Sequence, residues 1–283
     1  MATANTPVTK PESPRWAVIL GVSGGTGAAI ARAVARDPGM HLFGVHRGHF
    51  TETAGTLEDT VRGCGLKVVM HVADAGTADG ARAGAAALHD VAGPRSVGLF
   101  VHSIAAASVG HFLSTHNDAF HPRQFEKSFD YMAHSFVYWA QQLFERDLLA
   151  PGARLLGLTN MFHESLLHNC GIIAATKAAL QMYIRHLALE LGPFGHRVNL
   201  LKFPTVMTPA LGRMLGPKAM EHVEAVHRDM IPAGRMCTVE EVGSFVSLLM
   251  REEAAWLNGA TIDFTGGMTL RLLDLILKPD YKQ

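Results

Sequence analysis

Short, unbroken apolar runs recur along the chain, spaced so that a helix fits between each pair. Trp16-Ala17-Val18-Ile19-Leu20, His41-Leu42-Phe43-Gly44-Val45 and Lys67 to Val72 are the first three. Gly98 to His102, Arg154 to Leu158, Val198 to Leu201 and Ala260 to Phe264 follow. A strand with one wet face would alternate apolar and polar positions; Trp16 to Leu20 does not, so it reads as a strand buried on both faces. Between them, Ala28 to Ala35, Thr51 to Gly63, Ala81 to Val91, Phe125 to Phe144 and Gly171 to Leu191 have helical periodicity. Gly192-Pro193 closes the last of these, and Thr238 with Glu241 three residues on opens another by a capping box. Strands alternating with helices, without linker or repeat, predict an α/β fold. The expected architecture is a single-domain Rossmann-type doubly wound parallel sheet of about seven strands, flanked by helices. Residues 1–14 are polar and Pro/Thr-rich and read as a flexible tail; residues 15–283 form the domain. A mobile helical lid is expected at 207–230, centred on Leu211 to Met230, and a tail helix from Thr269 to Leu277.

Composition narrows the partners. Lys+Arg and Asp+Glu both number 25, so net charge gives no reason to expect a nucleic acid or a membrane surface. Three cysteines far apart in sequence argue against a disulfide framework and for a reducing compartment. No apolar run reaches membrane-spanning length, and the first fifteen residues lack the apolar core of a signal peptide. A cytoplasmic location is expected. The 16 histidines are scattered without the spacing of a metal site, and no metal is expected.

The first strand runs into Gly21-Val22-Ser23-Gly24-Gly25-Thr26-Gly27, and a helix follows at once. This geometry aims backbone N–H groups and a helix N-terminus at a diphosphate, with Gly21, Ser23, Gly25, Thr26 and Gly27 as the binding positions. The second strand delivers His46-Arg47 where a first βαβ unit meets the adenosine ribose. No acid stands there to take a free 2′-hydroxyl, and arginine can pair with a 2′-phosphate, so NADPH is favoured over NADH. Asp74-Ala75, past the third strand, can receive the adenine amino group, or Asp74 can cap the next helix. Ser103-Ile104-Ala105 are small residues at a carboxyl edge where ligands bind. Asn160 to Leu180 then supplies strand end, loop and a helix carrying Lys177, a lysine placed to hold a cofactor sugar against a substrate. No tyrosine lies between Asn160 and Lys177.

On these marks the chain resembles the short-chain dehydrogenase/reductase family over roughly residues 15–270. They stand in family order: Gly21, Gly25 and Gly27; Lys177-Ala178-Ala179-Leu180; Arg197-Val198-Asn199; Pro232-Ala233-Gly234-Arg235; and Thr265-Gly266-Gly267. Val101-His102-Ser103-Ile104, Ser135-Phe136-Val137, and Leu158-Thr159 followed by Glu164 and Asn169 are most similar to the enoyl-acyl carrier protein reductase branch. The resemblance implies NAD(P)H binding, hydride delivery to an unsaturated thioester, and pairing of the two long helices into a homotetramer or homodimer. It also implies carboxamide contacts from Val206 and Thr208, on a loop stiffened by Phe203-Pro204 in place of the usual Pro-Gly.

The departures fall on the chemistry. The family tyrosine stands four residues before the lysine, here Ile173; in the enoyl reductase branch it stands seven before, here Cys170. That branch's second tyrosine falls on Asn160, and the helix asparagine of ordinary members falls near Met132. Reduction builds negative charge on oxygen, which a positioned donor stabilises. Isoleucine donates nothing, and a Cys170 thiol drifting toward thiolate beside Lys177 would donate nothing either. The expected machinery is therefore Asn160 and Lys177 at the oxyanion, with His163 or His168 as proton source and an acyl-thioester, ketone or polyketide-like substrate, possibly borne on a carrier protein. Three other readings stay open: a redox-silent cofactor-binding regulatory or structural protein, a lyase, dehydratase or cyclase on the same fold, and Cys170 as nucleophile.

Overall fold

The computed structural model describes residues 14–49, 51–116, 119–161, 164, 167–208, 211–212 and 216–271. Seven strands make one parallel sheet in the order β3-β2-β1-β4-β5-β6-β7. They are β1 (Arg15–Leu20), β2 (Met40–His46), β3 (Val68–Val72), β4 (Val97–His102), β5 (Leu149–Thr159), β6 (Arg197–Lys202) and β7 (Thr261–Asp263). The order reverses between β1 and β4, and in open sheets of this kind ligands bind outside the carboxyl ends of the strands at such a reversal.

Helices cover both faces. One carries α3 (Ala78–Ala92), α5 (Ser135–Glu145) and α6 (Gly171–Leu191); the other carries α1 (Gly25–Val34), α2 (Thr51–Gly63) and α8 (Val239–Leu249). Strand residues feed the two cores alternately, Val18, Phe100 and Leu155 toward the first and Ile19, Val101 and Leu156 toward the second. This double burial is why the strands read as unbroken apolar runs. Small residues let the layers close. A Cβ on Gly84 of α3 would sit 2.3 Å from the Trp139 ring, and one on Gly243 of α8 would sit 2.7 Å from the Ala29 carbonyl. Trp139 is fully buried, and its indole N–H donates to the Ala75 carbonyl at 3.1 Å, so the largest core side chain also ties α5 to the end of β3.

The long helix expected over Phe125 to Phe144 is in three parts. Pro122 starts α4 (Pro122–Phe129) after a His121 cap, a π-helical turn spans Asp130–His134, and α5 follows. The Ser135 N–H reaches back five residues to the Asp130 carbonyl. Periodicity of 3.6 cannot reveal one inserted residue, because the apolar stripe resumes on the far side. Likewise β5 begins at Leu149, earlier than Arg154, because Leu149 pairs with Val97 before the register shifts to Leu99–Arg154. Thr238 caps α8 as expected: its hydroxyl accepts from the Glu241 N–H at 3.1 Å and its N–H donates to Glu241 at 2.9 Å. Of the stretch expected as a lid, α7 (Pro217–Met230) is a helix, while residues 209–210 and 213–215 lie outside the described residues. Of the tail helix, only a 3₁₀ turn at Met268–Arg271 is described; the rest, like residues 1–13, lies outside.

Candidate active site

The glycine turn is built by contact as well as by φ. Gly21 has φ +76°, and a Cβ there would stand 2.3 Å from the Ser103 carbonyl. Gly27 has ordinary φ, but its Cβ would stand 2.3 Å from the Gly21 carbonyl. Glycine is therefore required for the turn to fold onto β4 and onto itself. Gly25, at φ +52°, meets Thr208 from the loop after β6, with its Cβ position 3.1 Å from the Thr208 methyl. Ser103 and Thr208, widely separated in sequence, thus both border the turn. Gly24 faces open space, α1 has no side-chain cap, and no acid stands in its first turn. Uncapped N–H groups beside open space fit a diphosphate.

At the adenosine end, His46 is buried, and its Nδ1 accepts from the Gly48 N–H at 3.2 Å. Burial, then His71, lowers its pKa, so the ring is neutral with its proton on Nε2. Arg47 is exposed, and its guanidinium lies 5.3 Å from the Tyr131 ring centroid. Asp74 takes the Tyr131 hydroxyl at 2.5 Å and accepts from the Gly76 N–H. It does not cap α3; Thr77 does, accepting from the Gly80 N–H at 3.0 Å. Ala75 is buried, while Ile104 and Ala105 continue from Ser103 along the carboxyl edge of β4.

Lys177 is buried on α6, and its ammonium donates to the Leu158 carbonyl of β5 at 2.7 Å. Burial lowers its pKa to about 8. His102, at the end of β4, is fully enclosed; burial and then the Lys177 charge bring its pKa to about 3. Its Nε2 meets the Ser135 hydroxyl at 2.8 Å, just after the π turn. Val206 is buried on the loop that carries Thr208.

The loop between β5 and α6 corrects one expectation. The Cys170 thiol is buried at the N-cap of α6, and burial raises its pKa. Burial, and not the Lys177 charge seven residues on, is what shifts this thiol, so the direction is toward the neutral form and away from the expected thiolate. Ile173, one turn before Lys177, is half-buried. Asn160 follows the last residue of β5 at the carboxyl edge. His168 is exposed, its ring 5.5 Å from that of His111 on the loop after β4. His163 lies outside the described residues.

Sequence reasoning missed a charged latch. Lys202 ends β6, buried, with its ammonium 2.8 Å from Glu164 of the β5–α6 loop and 2.9 Å from Asp263 at the end of β7. Burial pulls its pKa down, but the two carboxylates outweigh that and the net shift is upward. The available signal was a lone lysine closing an apolar strand. Its partners are too distant in sequence to be read.

A parallel sheet of this order, with a glycine turn folded onto β4 and a buried lysine on the helix after β5, defines a Rossmann-type protein of the short-chain dehydrogenase/reductase class. The family model for Enoyl-(Acyl carrier protein) reductase matches residues 21–269, and the chain belongs to that family. It is 29% identical over 176 residues to the NADH enoyl-[acyl-carrier-protein] reductase of Escherichia coli (strain K12), a match spanning 62% of this chain and 65% of that one, under two thirds of the relative's length. It is also 29% identical to the D-erythrulose reductase of Gallus gallus, over 89% of this chain and 95% of that one. A short-chain dehydrogenase/reductase from Serratia marcescens has the same fold, with a TM-score of 0.79 at 21% identity over 92% of this chain and 100% of that one. So has an L-sorbose reductase from Gluconobacter frateurii, solved with NADPH and L-sorbose, with a TM-score of 0.77 at 24% identity over 90% and 97%.

Proposed function

We propose that the chain is an NADPH-dependent reductase of enoyl thioesters or ketones, with its oxyanion site rebuilt around Asn160 and Lys177. The observation that carries the reading is the turn Gly21–Gly27, uncapped, open at Gly24 and bordered by Ser103 and Thr208, on the same sheet edge as buried Lys177. Relatives named for enoyl and ketose reduction support the two substrate classes.

Bound NADPH supplies the hydride. The turn's N–H groups would hold the diphosphate, Arg47 would pair with the 2′-phosphate, and Val206 and Thr208 would hold the carboxamide. Lys177, with a pKa near 8, keeps a proton at the charged end of the site and bonds the ribose hydroxyls. Asn160 donates its amide to the oxygen on which charge develops, a contribution of about 3 kcal/mol for one well-aimed donor. His168, exposed beside His111, brings protons from solvent. Cys170 and Ile173 form the apolar wall that the missing tyrosine leaves. The working unit we expect is a cytoplasmic homotetramer or homodimer.

A second reading, cofactor binding without turnover, draws on the same wall: Ile173 has no proton to give, and the neutral Cys170 thiol is only a weak donor. One experiment separates the two. NADPH binding is measured by calorimetry, and loss of NADPH absorbance is followed with crotonyl thioesters and with short ketoses. Turnover of either class upholds the reductase. Tight binding without turnover of both classes leaves the silent protein, and no binding removes both readings.

A further inference from the structure

The adenosine end of the sheet edge contains a cluster of which the reading above uses only Arg47. Tyr131 is buried in the π-helical turn after α4. Its hydroxyl donates to the Asp74 carboxylate past β3, and its ring packs on Gly76, where a Cβ would stand 2.6 Å from ring carbon. Two cations lie against this one ring: the Arg47 guanidinium from the end of β2 at 5.3 Å from the centroid, and the Lys127 ammonium from α4 at 5.8 Å. Both residues are exposed, and α4 holds no carboxylate bonded to Lys127 among the contacts described. A ring fixed at its tip by a carboxylate and at its face by a glycine is a rigid platform. Cations lying on it lose less side-chain entropy when an anion arrives than cations swinging free in water.

We infer that Tyr131 selects the phosphorylated cofactor: its ring carries Arg47 and Lys127 as a two-cation clamp for the 2′-phosphate, with Asp74 held alongside for the adenine amino group. The inference rests on the proposal that this crevice binds NADPH. Arg47 alone could pair with a phosphate, but an exposed arginine discriminates weakly because water screens it. The second cation comes from α4, which follows β4, so the phosphate would be gripped from two elements of the adenosine half. The clamp acts on 2′-phosphate and not on the nicotinamide, so it can be tested without a substrate.

The test uses the full chain and calorimetric titration with NADPH, NADH, adenosine 2′,5′-bisphosphate and 5′-AMP. In Tyr131→Leu the preference for NADPH over NADH falls about tenfold, while NADH itself weakens only as far as it does in Tyr131→Phe, where Asp74 loses the same donor. Lys127→Ala, an exposed change that leaves the core alone, lowers that preference about threefold, and the bisphosphate-to-monophosphate ratio falls in step. Tyr131→Phe keeps the ring and keeps the preference, while both cofactors weaken together as Asp74 loses its donor. An unchanged preference in both Tyr131→Leu and Lys127→Ala overturns the inference, as does an equal loss of NADPH and NADH in Lys127→Ala. If the unaltered chain binds NADH and NADPH equally, the clamp is refuted while the crevice stands; if it binds neither, the functional reading falls first and takes the clamp with it.

Discussion

The two halves of the sheet's carboxyl edge are held together by different means. On the β1–β2–β3 side backbone packs on backbone: Gly27 on Gly21, and Gly21 on Ser103. On the β5–β6–β7 side, charged side chains tie the strands to their loops: Lys177 to the Leu158 carbonyl, and Lys202 to Glu164 and Asp263. The first construction fails if any one atom is added. The second tolerates changes of size but depends on charge, and so on pH. The difference suggests that the cofactor half is fixed by shape, while the substrate half can be altered residue by residue.

Gly27→Val should show the largest effect. Its Cβ would lie 2.3 Å from a carbonyl oxygen that cannot retreat without unseating the turn. A loss of about 3 kcal/mol or more in denaturant unfolding is expected, together with loss of the calorimetric signal for NADPH. Wild-type affinity in that variant would mean that the turn is not the diphosphate cradle.

Lys177→Met tests the charged half. Cofactor affinity should fall about tenfold near neutral pH as two N–H donors to the ribose are lost. In the unaltered protein the same loss should set in as pH rises through about 8, where Lys177 gives up its proton. Stability moves the other way. Below about 8 both folded and unfolded states carry the charge, and the folded state bears the cost of burying it; between about 8 and 10.5 only the unfolded chain keeps the proton, so stability rises with pH. Urea midpoints across that window should climb in the native chain and lose that component in Lys177→Met. A climb of equal size in both would place the titration elsewhere.

Lys202→Met is smaller. It leaves two half-exposed carboxylates without their shared cation and should cost about 2 kcal/mol, less than a fully enclosed pair would. If the latch positions the β5–α6 loop, the substrate KM rises while the NADPH Kd stays within about twofold; a changed Kd with a constant KM would assign the latch to the wrong half. Smallest of all, Thr238→Ala removes the α8 cap, far from the crevice, and should cost about 1 kcal/mol with no effect on binding. A thermal melt with and without NADPH distinguishes this from a site effect.

The same contrast explains what could be read from the sequence. Gly21, Gly25 and Gly27 announce themselves, because a backbone that must approach another backbone tolerates no side chain. The strands were legible because burial on both faces leaves a one-dimensional trace. The Lys202 latch left no such trace: Glu164 and Asp263 are ordinary acids until the fold brings them to one ammonium. Cys170 was misread in sign because nearness along the chain was taken for nearness in charge, whereas burial sets its pKa. Arg47 was placed correctly at the end of β2, but its platform, Tyr131, arrives from a helix more than eighty residues on.

The widened turn at Asp130–His134 has one more consequence. A single surplus residue rotates everything beyond it by about 100° around the helix axis. The stretch entering it can therefore set Lys127, with Tyr131 of the turn itself, toward Arg47, while the stretch after it turns Ser135 inward to His102 and Trp139 into the core. One rod thus serves two addresses, and excising one residue from the bulge would bring the two faces back into phase, so that the rod could serve only one.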